Sequence, residues 1–431
     1  MLRNYRAIGD EEGLKGEIGK LYIDGNVFTI TTLEKDFEIG AELGHGTFGC
    51  VKTAVHRATN TTLAVKLLRD TMRADEKEKL IKELTLSRKF DSPYTVRYHG
   101  INVFDGQIQL FVEKMRMSLD SMIKYTKRAK QRVPEAVLGH ITCCLIKGLD
   151  YMWHTHRAMH RDIKPSNALI GFDGSIKLCD FGLANIAVDS ILISNVGSEL
   201  YLSPEQLDPT TCQQGYDVRR DVWSLGVTLL EIANLEYPFR SEAEKYASAF
   251  TVMNRVTRGL IPRVKYEYSP SFQDLISSCL ETDARWRPYF RVCAQPLKRL
   301  GSGSSSTASR QNSVTGRPDA HRLASIGDEN PFAADMRESR DGGVGSGSQR
   351  SPAAGVSNHA DTRGNAVASP ASATSLATQS PHVSAEELAK REGKTIHPAL
   401  MEHEFFKQYD KVELNVANWI DSLLRLPDMA M

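Results

Sequence analysis

The chain has 431 residues, 41% hydrophobic and 25% charged, with a formal net charge of +1. That allows one large two-lobed domain with tails, or about two to three average domains. The balanced charge makes no case for nucleic acid or an acidic membrane surface. No apolar run reaches the roughly 18 residues of a membrane span, and the N-terminal stretch has no signal-peptide core.

The seven cysteines (Cys50, Cys143, Cys144, Cys179, Cys212, Cys279 and Cys293) are odd in number and fit no disulfide or zinc spacing. Reduced thiols in a cytoplasmic or nuclear protein are the expectation.

Residues 1–36 read as an N-terminal arm with one strand. Two stretches in it also fit a basic-then-apolar docking peptide: Arg3, Arg6 and Ile8, or Lys20 with Leu21 and Ile23. From Phe37 the pattern becomes strand-like around a glycine loop: Leu43, Gly44, His45, Gly46, Thr47, Phe48, Gly49, Cys50 and Val51. Glycines at these spacings let backbone N–H groups approach a triphosphate. The loop alone is weak evidence, because dinucleotide folds and plain turns share it. Here it leads into a buried-type strand, Leu63-Ala64-Val65-Lys66, and strand–loop–strand argues against a dinucleotide unit.

Residues 72–89 read as a helix, and its Glu83 is the carboxylate expected to pair with Lys66 and hold it on the α/β-phosphates. Strands are expected around Val96–Ile101 and Ile108–Val112. Glu113-Lys114-Met115 then forms a hinge whose backbone would bond adenine, with Val112 behind the pocket. Residues 117–128 and 135–156 carry apolar positions at helical spacing. His154, His156 and His160 lack cysteine or carboxylate partners at ligand spacing, so helix-end packing explains them better than zinc.

Three signatures follow in order: His160 to Asn167, Asp180-Phe181-Gly182 and Ser203-Pro204-Glu205. Asp162 suits acceptance of a substrate hydroxyl proton, and Lys164 suits neutralising charge on a transferred phosphoryl. Asn167 and Asp180 supply hard oxygens for Mg²⁺. Such chemistry is mostly positioning and electrostatics. Arg161 beside the base calls for an anion to order it, which points to a phosphorylated loop.

On these motifs the chain resembles the eukaryotic protein kinase family from Phe37 to about Pro288, and within it the dual-specificity MAP kinase kinases. The residues behind the finer resemblance are Ile176-Lys177-Leu178-Cys179, Met159 through Asn167, Asp189-Ser190-Ile191-Leu192-Ile193-Ser194, and a serine before Pro204-Glu205. The resemblance implies an α+β, bilobal kinase fold. Its N-lobe (37–113) has a five-stranded antiparallel sheet and one helix, and its C-lobe (116–300) is mainly helical. It implies ATP and Mg²⁺ as cofactors, with Lys66, Asp162 and Lys164 catalytic. It also implies activation by an upstream kinase at Ser190 and Ser194, phosphorylation of Thr and Tyr in a downstream MAP kinase, and association with a scaffold protein. Asp221 would support the catalytic loop, and Arg287 would pair with Glu205.

There are departures. Leu183-Ala184-Asn185 replaces a Ser-Gly, and Ser198 stands where threonine is usual. Ser87 stands where a large apolar residue completes the column through His160 and Phe181, so a gap is expected there. A Ser/Thr kinase of the broader upstream group and an inactive scaffold are the alternatives. The scaffold would lack Lys66, Asp162 or Asp180, and all three are present.

Residues 301–384 are rich in Ser, Gly and Ala with one aromatic, Phe332, and are expected to be a disordered insertion. Residues 385–427 then carry His397-Pro398-Ala399-Leu400 and an apolar stripe of Val416, Trp419, Ile420, Leu423 and Leu424. They are expected to complete the C-lobe, and by the resemblance to offer a docking site for the upstream kinase.

Overall fold

The computed structural model describes residues 16–46, 49–69, 84–105, 107–181, 185–186, 198–208, 218–240, 248–291, 390, 395 and 397–426. All of them lie in one compact unit formed by Met1–Pro296 with Val383–Met431. The expectation of disorder over 301–384 falls outside the described residues, as do Arg3, Arg6, Ile8 and Glu83.

The N-lobe is a seven-stranded antiparallel sheet in the order β2-β1-β6-β7-β5-β4-β3. Five strands follow the expected pattern: β3 (Phe37–Gly46), β4 (Gly49–His56), β5 (Thr61–Arg69), β6 (Tyr98–Phe104) and β7 (Gln107–Glu113). The other two form a hairpin, β1 (Lys20–Ile23) and β2 (Asn26–Thr29), where one strand was expected. Its turn passes through Asp24 at φ 48° and Gly25 at φ 79°, a left-handed pair that suits a two-residue hairpin. β1 docks on β6 with Leu21 opposite Gly100. A Cβ at residue 100 would lie 2.2 Å from the Lys20 carbonyl oxygen, so only glycine admits the hairpin.

Leu21 and Ile23, one of the docking-peptide candidates, are buried by this pairing. With Ile30, Leu33, Phe37, Ala54, Leu63, Val65, Leu67 and Phe111 they form the outer core of the lobe. Leu33 lies on α1 (Leu33–Asp36), which Thr32 caps by accepting from the Lys35 amide. Residues 84–89 are helical (α2), and Leu84 and Leu86 on it are buried.

The C-lobe is mainly helical. α3 (Leu119–Arg128) is capped by the Ser118 hydroxyl, and α4 (Glu135–His156) runs through the core with Leu138, Ile141, Leu145, Leu149 and Met152 buried. The small strands β8 (Met117–Ser118), β10 (Ala168–Ile170) and β11 (Ile176–Leu178) form one sheet, and β9 (Ala158–Met159) pairs with β12 (Asn185–Ile186). Behind them lie α5 (Pro204–Leu207), α6 (Arg219–Asn234), α7 (Ala249–Thr257) and α8 (Pro270–Cys279).

The last two helices, α9 (Glu404–Tyr409) and α10 (Val416–Leu424), return to the same core from far along the chain. The Leu400 and Met401 amides donate to the Tyr289 and Phe290 carbonyls at 2.8 Å each. Phe405 packs on Phe272 at 5.1 Å, and Lys147 pairs with Asp410 at 2.6 Å. Arg116, just past the hinge, reaches Asp421 at 2.5 Å. Val416, Ile420 and Leu423 of the apolar stripe are buried against the lobe, with Trp419 and Leu424 partly so. Among the described residues no helix is long and apolar enough to cross a membrane.

Candidate active site

The site lies where β3–β5, the hinge and the ends of β10 and β11 converge. Strands β3 and β4 close the glycine loop, pairing Gly46 with Gly49. A Cβ at Gly49 would fall 1.8 Å from the Leu67 carbonyl oxygen, so this glycine is dictated by the ladder beneath it. Gly44 has open space where its Cβ would be, and Leu43 is exposed. Thr47 and Phe48, and the side chain of His45, are outside the described residues.

On β4 and β5, Val51 pairs with Lys66 and Cys50 with Leu67. Side chains alternate across a strand, so the two pairs face opposite ways. Cys50 and Leu67 join the outer core, and the Cys50 side chain therefore does not face the nucleotide side as expected; only its backbone remains available there. Lys66 faces the cleft, its ammonium 3.7 Å from Asp180 Oδ1.

At the hinge, Met115 is buried, whereas the Glu113 carboxylate points away to another task. Lys177 Nζ donates to both its oxygens at 2.7 and 2.8 Å, and the Arg97 amide donates to it at 3.2 Å. This ties β7 to β11 two residues before Cys179. A hinge role for Glu113 toward adenine therefore rests on its main chain. The sequence marks Lys177 only as part of a motif, and its pairing with Glu113 emerges from the fold.

The catalytic loop is a compact network. Asp162 Oδ2 accepts from Lys164 Nζ at 2.8 Å and from Asn167 Nδ2 at 2.8 Å, and the same Nδ2 bonds the Asp162 carbonyl at 2.9 Å. The other carboxylate oxygen, Oδ1, is buried without a hydrogen-bond partner among the described residues. A buried acceptor in that state is a place for an incoming hydroxyl.

Asp221, at the start of α6, holds the loop from behind. Its two oxygens accept from the His160 amide at 2.7 Å and the Arg161 amide at 2.8 Å. Burial pushes its carboxyl pKa up, against the pull of His160 and these amides. Arg161 and Asp180 both sit at positive φ, 68° and 64°. Two side chains in left-handed backbone next to reacting groups are strain of the kind found at working sites.

Cys179 joins the two halves. Its carbonyl contacts His160 Nε2 at 3.1 Å and its amide donates to the Asn167 carbonyl at 3.0 Å. Asp180 and Asn167 are thereby fixed to one another through the backbone. Asn167 commits its amide nitrogen to Asp162, so its amide oxygen is the atom that could face a cation. With the half-exposed Asp180 carboxylate, this hard-oxygen donor set fits a divalent metal.

Phe181 is buried, and it meets His160 edge-on at 5.5 Å and Phe90 at 4.8 Å. Ser87 is buried on α2, and the aromatic contact to Phe181 comes from Phe90 just beyond that helix. Phe90 is a neighbour of Phe181 that the sequence reading did not single out. The histidines at the end of α4 take part in local contacts: His154 with Asp150 at 2.8 Å, and His156 with the Tyr151 hydroxyl at 3.0 Å and the Phe90 ring.

At the far end, Arg287 binds Glu205 with two parallel hydrogen bonds of 2.8 Å, both side chains buried. The same guanidinium donates to the Glu281, Arg219 and Thr282 carbonyls and lies 5.2 Å over the Trp223 ring. Ser190, Ser194 and the side chain of Ser198 lie outside the described residues.

A lysine facing an acid across two lobes, a base with a buried oxygen unbonded among the described residues and a glycine loop above them define a phosphoryl-transfer site. The family model described as "Protein kinase domain" matches residues 37–297. The chain belongs to the protein kinase family, whose members use ATP and a divalent metal.

Its relatives narrow this to the mitogen-activated protein kinase kinases. It is 36% identical over 291 residues to the dual specificity mitogen-activated protein kinase kinase hemipterous of Drosophila melanogaster, covering 66% of this chain and 24% of the fly protein. It is 35% identical over 264 residues to the dual specificity mitogen-activated protein kinase kinase mek-1 of Caenorhabditis elegans, covering 61% of this chain and 73% of that one. The matched region thus spans about a quarter of the length of the fly relative.

Proposed function

We propose that this protein is a dual-specificity MAP kinase kinase. Phosphorylated by an upstream kinase on Ser190 and Ser194, it transfers the γ-phosphoryl of ATP to Thr and Tyr in the activation loop of a MAP kinase. The observation that carries the reading is the joined set Lys66, Asp162, Lys164, Asn167 and Asp180, in a chain similar to proteins named for that activity.

Asp162 accepts the hydroxyl proton at Oδ1 and aims the attacking oxygen, while Asn167 and Lys164 lock Oδ2 so that the carboxylate cannot rotate. Lys164 also faces the transferred group and offsets its charge. Lys66 holds the α/β-phosphates, with Glu83 as the partner that would orient it. Mg²⁺ would be held by Asn167 and Asp180, where it would neutralise charge between the phosphates. Adenine is held by the main chain of Glu113 and Met115. A cytoplasmic and nuclear location and a scaffold partner belong to the same reading.

The test offers a purified Ser190→Asp/Ser194→Asp variant to a panel of MAP kinases and maps the products. Phosphate on both Thr and Tyr of one member's loop supports the reading. Phosphate on serine or threonine of unrelated proteins only would favour the broader upstream group. Loss of all transfer in an Asp162→Asn control ties the signal to this site.

A further inference from the structure

A buried carboxylate beside the N-terminal hairpin is paired with an arginine two residues before Phe90. Glu17 lies just before β1 and is only 5% exposed. Its backbone is fixed by the sheet: Ile18 bridges to Ile101, and the Gly19 amide donates to the Ile101 carbonyl at 2.8 Å. Its carboxylate accepts from the Tyr22 hydroxyl at 2.8 Å, lies 3.1 Å from Arg88 and 3.8 Å from Lys20. A carboxylate this buried persists only where partners hold it.

Arg88 is at the end of α2. Two residues later, buried Phe90 is the ring that meets Phe181, and Phe181 follows Asp180 directly. The Phe90 amide bonds the Leu86 carbonyl at 3.1 Å, and the Asp91 amide bonds the Tyr151 hydroxyl at 3.0 Å. The backbone on either side of Phe90 is thus held by hydrogen bonds, close to the Arg88 end of α2.

We propose that Glu17 is a positioning residue for phosphoryl transfer. By anchoring Arg88 it fixes Phe90 against Phe181, and so sets where Asp180 stands relative to Lys66. The hairpin is then part of the catalytic apparatus rather than an appendage, and Gly100 is the residue that lets it dock. The two ends of the pair differ in environment, with Glu17 buried and the Arg88 side chain 43% exposed. Neutralising Glu17 with an isosteric amide weakens its hold on Arg88 without leaving a buried charge, and replacing Arg88 weakens the same contact from the other end while Tyr22 and Lys20 remain beside Glu17.

The experiment uses the full-length chain with Glu17→Gln, Phe90→Leu and both together. Amide hydrogen exchange is followed at Cys179, whose N–H is bonded to Asn167, with α8 as a distant reference. Turnover is read by ADP release at varied ATP. Glu17→Gln should raise Cys179 exchange by about tenfold and lower kcat by about three- to tenfold with KM for ATP nearly unchanged, leaving α8 untouched. Phe90→Leu should do the same, and the double variant should fall short of the product of the two, since both act through one contact.

A rise in exchange confined to residues 16–23 and 84–90, or effects that multiply independently, would overturn the proposal in favour of a merely structural anchor. If Glu17→Gln proves poorly folded, Arg88→Gln reads the same contact from its exposed end, and an unchanged Cys179 amide there refutes the relay.

Discussion

The ammonium of Lys66 stands 3.7 Å from the carboxylate of Asp180, although one belongs to the N-lobe sheet and the other follows β11 in the C-lobe. The gap is longer than a hydrogen bond, so the pair is an ion pair across the cleft and not a direct hydrogen bond. Lys66→Met removes the cation that would neutralise phosphate oxygens while keeping most of the stem. It should lower kcat by about 10²–10³-fold, the scale for losing one preorganised charge at a transition state. Steady-state ADP release checks this, and melting temperature should stay within a few degrees of the parent.

Glu205 and Arg287 should behave as one unit. Arg287→Leu leaves a buried carboxylate without its bidentate partner and frees three carbonyls, and is expected to cost about 3–5 kcal/mol of unfolding free energy. Arg287→Lys should recover little, because one ammonium cannot match two carboxylate oxygens and the carbonyls together. Denaturant titration of the three proteins reads both outcomes.

Glu231 makes stability depend on pH. Burial raises its carboxyl to about 7 from an ordinary value of 4.5, with Asp120 adding to the rise and the Tyr201 hydroxyl, donating at 2.6 Å, opposing it. The folded state therefore holds this proton more tightly than the unfolded chain. The contribution is complete below about 4.5 and is lost as pH climbs through about 7. It amounts to about 3 kcal/mol between those limits. Glu231→Gln should remove that slope from a plot of unfolding free energy against pH and leave the protein more stable than the parent above neutrality.

The returning C-terminal segment is structural. Phe405→Ala empties a site between Phe272 and Tyr409 and should cost about 3–5 kcal/mol. Joining residue 300 to 385 through a short linker should leave melting temperature and kcat unchanged, because the bonds from Leu400 and Met401 to Tyr289 and Phe290 lie outside the deleted stretch. Loss of folding on that deletion would refute the insertion reading.

The catalytic loop was legible in the sequence because its chemistry demands particular atoms at particular spacings: Asp162, Lys164, Asn167 and Asp180 have no substitutes of similar shape and charge. Helix α4 was legible from its apolar periodicity, and it runs over the predicted 135–156. What escaped depended on contacts distant in the chain. The hairpin needs Gly100, some eighty residues away, to find its place. Phe90 reads as an ordinary core aromatic until Phe181 is seen against it. Cys50 was assigned with its neighbours in the glycine loop, although strand alternation alone would have turned it to the other face.

The C-lobe core is stitched from two stretches separated by roughly a hundred residues, with Cys143 contacting the Phe406 carbonyl 263 positions later. Closing the gap is thermodynamically mild, since the entropic term grows with the logarithm of length and each doubling adds only about 0.6 kcal/mol. The burden falls on timing. While the protein is being synthesised, Phe272 and the outer face of α4 must wait for α9 to leave the ribosome. Until then the lobe carries an exposed apolar surface that chaperones would recognise.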